Sequence, residues 1–182
     1  MNQHTIKQSV SVSGVGLHTG ANVTLTFQPA PANHGFKFKR IDLEGQPVVN
    51  ADVSRVVATQ RSTTIQSGDA IVHTIEHVMS ALAGLQIDNV LLEIDGPEVP
   101  IMDGSAWPFA AALQQAGREE QDSPRDYFEI EEPITFRDEA SGVEMTALPA
   151  DQFEIITMID FNSPTLGQQY ASLNNLDNYL EE

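Results

Sequence analysis

Within the five residues His73-Thr74-Ile75-Glu76-His77 the chain places two histidines and a glutamate, just ahead of the largely apolar run Val78 to Gly84. Histidine offers a neutral nitrogen to a zinc ion, and a neighbouring carboxylate takes a proton from zinc-bound water. Consecutive residues of a helix point about 100° apart, so Glu76 and His77 border one cleft without stacking on each other. The positive end of the helix stabilises the glutamate as an anion, which lowers its basicity unless burial counteracts it. As a pattern the pair is weak, because a glutamate placed for the helix dipole beside a surface histidine needs no further explanation.

The same residues match H-x-x-E-H, the inverted zinc-peptidase motif, in which both histidines bind metal from successive turns. That motif needs both histidines inside one helix and a third ligand on a later one. A capping threonine at Thr74 would leave His73 outside, and no later helix shows an inward glutamate. A second candidate is Gly14 to Gly20, GVGLHTG. Its glycines suggest a dinucleotide loop, but a strand follows rather than a helix. The better reading is a tight turn that brings backbone close to another group, with His18 either a site histidine or a turn residue. Asp103 and Ser105 in MDGSAW read as turn and cap residues, and His4 and His34 as solvated.

The elements that must position these groups are strands and two helices. In NVTLTFQPA, Val23, Leu25 and Phe27 alternate with Thr24 and Thr26, and GFKFKR puts Phe36 and Phe38 inward and Lys37 and Lys39 outward. AIVHT is a weaker strand candidate and NVLLEID a stronger one. The first helix is expected to start near Thr74 and stop at Gly84 in the left-handed conformation, with Ile75, Val78, Met79 and Leu82 buried. The second runs from a Ser105 cap, through Pro108 in its first turn, to Gly117, burying Phe109, Ala112, Leu113 and Ala116. Arg118 to Asp126 is wholly polar with a proline and reads as a linker.

Beyond it the pattern repeats. GVEMTALPADQFEIITMIDF from Gly142 parallels NVTLTFQPAPANHGFKFKRIDL from Asn22, each an alternating strand, a Pro-Ala turn and a second strand ending in Ile-Asp. The expected fold class is therefore α+β, the first of two duplicated sheet-plus-two-helix domains with only the opening strands of the second present. The expected boundaries are residues 1–120 for the first domain, 121–126 for the linker and 127–182 for an incomplete second domain. The tail has no counterpart of HTIEHVMSALAG, so the chain reads as truncated.

The totals narrow the function. A formal net charge of −17 over 182 residues repels duplexes and anionic membrane surfaces, so nucleic-acid binding is not expected. With no cysteine, disulfides, thiolate nucleophiles and Cys-based zinc clusters are excluded. No run approaches the roughly 20 apolar residues of a membrane span and no signal peptide is evident, so a cytoplasmic location is expected.

Four blocks, KQSVSVSGVGLHTG, VTLTFQPAPANHGFKFKRIDL, TIEHVMSALAGLQIDN and EVPIMDGSAWPF, resemble in order and spacing the UDP-3-O-acyl-N-acetylglucosamine deacetylase family of Gram-negative lipid A biosynthesis. The resemblance covers essentially the whole chain. It implies two α+β domains of similar topology and a zinc amidohydrolase that removes acetate from a UDP-linked, acylated glucosamine. It further implies that Glu76 is the general base, that His77 is a zinc ligand, and that Leu17, His18 and Ser62 line the substrate cleft. The position of His73 carries no ligand in that pattern. The family's other ligands, a histidine and an aspartate, and a further histidine belong to its second domain and are expected after Glu182, so the zinc site is incomplete here and the chain alone is expected to be inactive. Some bacterial relatives continue into a fused hydroxyacyl-carrier dehydratase. A non-catalytic interaction module stands as the alternative reading, with the zinc peptidase behind it.

Overall fold

Alternation along the chain builds the sheet that carries everything else. In a computed structural model, which describes residues 1–181, the strands β1 (Asn2–Ile6), β2 (Val10–Val15), β3 (Asn22–Pro29), β4 (Phe36–Arg40) and β5 (Val48–Asn50) come first. They are followed by β6 (Val56–Ala58), β7 (Thr64–Ser67), β8 (Ala70–Val72), the helix α1 (Glu76–Gly84) and β9 (Val90–Ile94). Then come α2 (Trp107–Ala116), β10 (Arg118–Pro124), β11 (Ile134–Asp138), β12 (Val143–Ala147), β13 (Ile155–Asp160) and β14 (Gln168–Leu173). The protein is α+β. It divides into two units, Met1–Arg125 and Asp126–Glu182.

In the first unit the main sheet has the order β2-β3-β9-β4-β5. Val23, Leu25 and Phe27 of β3 and Val90, Leu92 and Ile94 of β9 are all buried, as a period of two requires of a half-covered sheet. On the other face Glu93 of β9 accepts from Gln28 at 2.9 Å and from the Lys39 ammonium at 3.1 Å. β9 runs antiparallel to β3 and parallel to β4. The strands β3 and β4, expected as a hairpin, are thus separated by a strand from fifty residues later. Burial decides this, because β9 is the most apolar strand of this sheet and its place at the centre covers both its edges.

The two helices pack on each other, and α2 also packs on β2. Phe109, Ala112, Leu113 and Ala116 of α2 are buried as expected, together with Ala110. In α1 the buried set is Val78, Ala81, Leu82 and Gly84, preceded by Ile75, while Met79 is half-exposed. Three local expectations fail. Thr74 does not cap α1, which begins two residues later behind Ile75 without a side-chain cap. Gly84 is the last helical residue, and the left-handed position falls on Gln86 (φ 54°). Ser105 sits one residue before the cap position, although its oxygen still accepts the Trp107 amide at 3.1 Å. Gly117 closes α2 with φ 70°, a conformation glycine adopts without strain.

The expected linker from Arg118 is largely a strand. Residues Arg118–Pro124 form β10, antiparallel to β1. Polarity misled here, because β10 is anchored by side-chain amides rather than by apolar contacts. The buried Asn89 donates from Nδ2 to the carbonyl oxygens of Gln3 (2.8 Å) and Gln121 (2.7 Å), and its own Oδ1 accepts the Gly35 amide at 2.8 Å. His4 is also not solvated. Its backbone amide donates to Asp88 at 2.7 Å, and burial, with the Arg118 and Arg125 charges, pushes its imidazole pKa down. Asn89→Ala, which removes the acceptor of the Gly35 amide and the donor to Gln3 and Gln121, is expected to lower the unfolding free energy of the first unit by about 1–3 kcal/mol in urea titrations.

The second unit is described by itself. It consists of two antiparallel hairpins, β11-β12 and β13-β14. Phe136, Met145, Ile156 and Met158 on these strands are all exposed.

Candidate functional site

The start of α1 gathers segments that are distant in sequence. Glu76 is the first helical residue and His77 the second, and both are half-buried. A carboxylate in the first turn lies where the helix dipole favours an anion. One oxygen of Glu76 accepts the Thr63 amide at 2.9 Å, which tethers the carboxylate to the segment between β6 and β7. The Ile75 amide in turn donates to the Thr63 carbonyl at 3.3 Å. Ser62, expected in the cleft, is the neighbour of this doubly bonded residue and is half-buried.

His73 stands apart from the helix. Its Nδ1 lies 3.0 Å from the Thr64 hydroxyl, its amide donates to Pro97 and its carbonyl accepts from Val99. This backbone ladder holds His73 in extended structure beside Glu98. His73 and His77 therefore do not lie on successive turns of one helix, and the peptidase geometry is not formed.

Glu98 was not singled out by sequence, and it is the most constrained group near the site. Its side chain has 0% exposure. The Thr19 amide and hydroxyl each donate to Oε2 at 2.8 Å, the His18 amide reaches both oxygens at 3.0 and 3.1 Å, and the Thr74 hydroxyl donates to Oε1 at 2.8 Å. Burial alone pushes a carboxyl pKa up, but these donors outweigh it and hold Glu98 below its ordinary value of 4.5. The turn that was expected to bring backbone near another group does so, and the group is this carboxylate. A Cβ at Gly16 would stand 2.5 Å from Oε2 of Glu98, which explains the glycine. The side chains of Leu17 and His18 project outward from the pinned turn, Leu17 with 59% exposure. A signal existed in the sequence only as a lone acid between Pro97 and Val99 in an apolar stretch.

Asp103 lies within electrostatic reach of His77. The amide and hydroxyl of Ser105 hold its carboxyl below the usual range, and the His77 charge adds to this. It borders an open cleft of about 460 Å³ lined by Val15, Ile101, Met102 and Pro108 among others.

Fold and site together define an α+β protein that presents a carboxylate–imidazole pair from the start of a short helix, beside a turn locked by a buried acid. The chain belongs to the UDP-3-O-acyl N-acetylglycosamine deacetylase family, whose sequence profile matches residues 3–182. It is 47% identical over 97% of its length to a bifunctional enzyme LpxC/FabZ of Chlorobaculum tepidum, covering 38% of that protein. It is 46% identical over 95% of its length to a UDP-3-O-acyl-N-acetylglucosamine deacetylase of Myxococcus xanthus, covering 54%. With the corresponding deacetylase of Acidithiobacillus ferrooxidans it shares 43% identity over 99% of its length, covering 60%. The chain thus spans about half the length of the curated relatives it matches.

A carboxylate whose pKa is depressed by folding contributes stability that is present above its unfolded value and lost as pH falls through its folded value. Glu98→Gln is expected to destabilise the first unit by about 2–4 kcal/mol near neutral pH. The gap between the two proteins should narrow as pH drops below 4.5, measured by chemical denaturation across a pH series.

Proposed function

We propose that this chain is the N-terminal portion of a zinc-dependent deacetylase of lipid A biosynthesis. Its substrate is a UDP-linked, 3-O-acylated N-acetylglucosamine, whose amide is hydrolysed with one water to the free amine and acetate. The observation that carries this reading is Glu76, held by Thr63 beside His77 at a helix start, in a chain of this family.

Among the described residues no group of three or more histidine, aspartate or glutamate side chains could hold a metal ion. A catalytic zinc takes about three protein ligands, so His77 fits as one of them and the rest must come from outside the described residues. Zinc, when bound, lowers the pKa of its water toward ~7 and polarises the amide carbonyl. The Glu76 carboxylate, tethered by the Thr63 amide, would take the proton of the attacking water. The same carboxyl can pass that proton to the departing amine. Leu17, His18 and Ser62 are assigned to the wall of the substrate cleft.

The reading includes a duplicated fold. Its support is that the Ser11 and Thr26 hydroxyls meet at 2.8 Å across β2-β3 and the Thr135 and Thr146 hydroxyls at 3.1 Å across β11-β12. On this correspondence β11 to β14 stand for β2 to β5, and among the described residues they have no counterpart of β9 or of the two helices. The exposed Phe136, Met145, Ile156 and Met158 fit strands that await such a cover. The first domain would then be residues 1–120 and the second would begin at 127. No helix among the described residues is long and apolar enough to cross a membrane, and a cytoplasmic site of action suits a nucleotide-linked substrate.

Two outcomes are expected. In zinc titrations the 182-residue chain should show no tight equimolar site, and His77→Ala should change its weak binding little. Tight binding of one zinc lost in His77→Ala would sink the half-site reading. In the full-length enzyme, Glu76→Gln should lower acetate release from the UDP-linked substrate by about 10²–10⁴-fold with zinc content unchanged.

A further inference from the structure

The donors on Glu98 come from two separate pieces of the site. His18 and Thr19 belong to the turn between β2 and β3, whereas Thr74 lies two residues ahead of Glu76. Glu98 itself is carried by a segment whose backbone is laddered to His73, through Pro97 on one side and Val99 on the other. One carboxylate therefore ties the Leu17–His18 turn to the residues that lead into the Glu76–His77 pair. Thr74 supports this at a cost, because it holds φ at 59°, a left-handed conformation that a β-branched residue rarely adopts. The strain aims its hydroxyl at Glu98. The remaining wall, at Thr63, is bonded to Glu76 directly.

We infer that Glu98 is a positioning residue: its ionised carboxylate holds the Leu17–His18 turn in fixed register with the Glu76–His77 helix start. It touches neither substrate nor metal in this assignment and acts through the two segments it joins. Carboxylate suits the place, since its two oxygens accept four donors and two of these, the His18 and Thr19 amides, cannot accept in return. An amide at this position keeps one acceptor but turns its NH2 toward a backbone N–H, because the His18 amide reaches both oxygen positions. The inference rests on the deacetylase reading only for what the register is for; the tether itself stands on the hydrogen bonds.

The test is amide hydrogen exchange by NMR on the 182-residue chain, comparing it with Glu98→Gln. Release of the turn should speed exchange at His18 and Thr19 by about tenfold or more beyond any loss at Leu25 and Leu92, whose amides report opening of the sheet. Equal losses at turn and sheet would overturn the inference, leaving Glu98 a residue of general stability. Should Glu98→Gln fail to fold, Thr74→Ala removes one donor and keeps the buried charge bonded, and the same excess at His18 and Thr19 is expected. Its absence there would overturn the inference equally. In the full-length enzyme, Glu98→Gln should lower kcat/KM for the UDP-linked substrate at least tenfold while zinc content stays the same; loss of zinc in parallel would count against the positioning role. If the unsubstituted enzyme releases no acetate, the deacetylase reading fails, and the exchange result still decides the tether.

Discussion

A carboxylate without solvent is tolerated only where hydrogen bonds replace its hydration, and Glu98 meets that condition with donors from three residues. The rest of the first unit's functional end is arranged around this requirement. Gly16 is small because the acid's oxygen occupies the space of a side chain. Thr74 is strained because its hydroxyl is needed, and the helix can start only after it, at Glu76. Two exposed residues of a turn and the start of a helix are thereby joined through one buried group.

Polar burial of a second kind closes the other end of the unit. Asn89 sits where β9 begins, with every polar atom of its amide engaged. Its partners come from β1 and β10 and from the loop before β4, so the strand that leaves the unit is fastened to the one that opens it. Neutral amides suit this role because they carry both donor and acceptor and no charge to desolvate. The central sheet lies between these two polar clusters, and its apolar strands β3 and β9 supply the burial.

Much of this was legible in local pattern. The alternation of Val23, Leu25 and Phe27, the buried stripe of α2 and its glycine stop each follow from contacts within a few residues. The place of Glu76 and His77 together at a helix start was legible for the same reason, since it follows from residues close in sequence. What failed locally was also instructive. Thr74 has the right type for a cap, but a stronger acceptor drew its hydroxyl away. Arg118 to Pro124 has the composition of a linker, yet Asn89 and the ladder to β1 make it a strand.

By itself, then, the sequence determined the α+β class, the placing of Glu76 and His77 at a helix start, the turn at Gly14 to Gly20 and the absence of cysteine chemistry. Tertiary structure decided the place of β9 between β3 and β4, the strand character of β10 and the part played by Glu98. The physical reason is range. His18 and Glu98 are 80 residues apart, and Asn89 and Gln121 are 32 apart. A lone acid or a polar run carries no mark of the distant donor that satisfies it until the chain has folded.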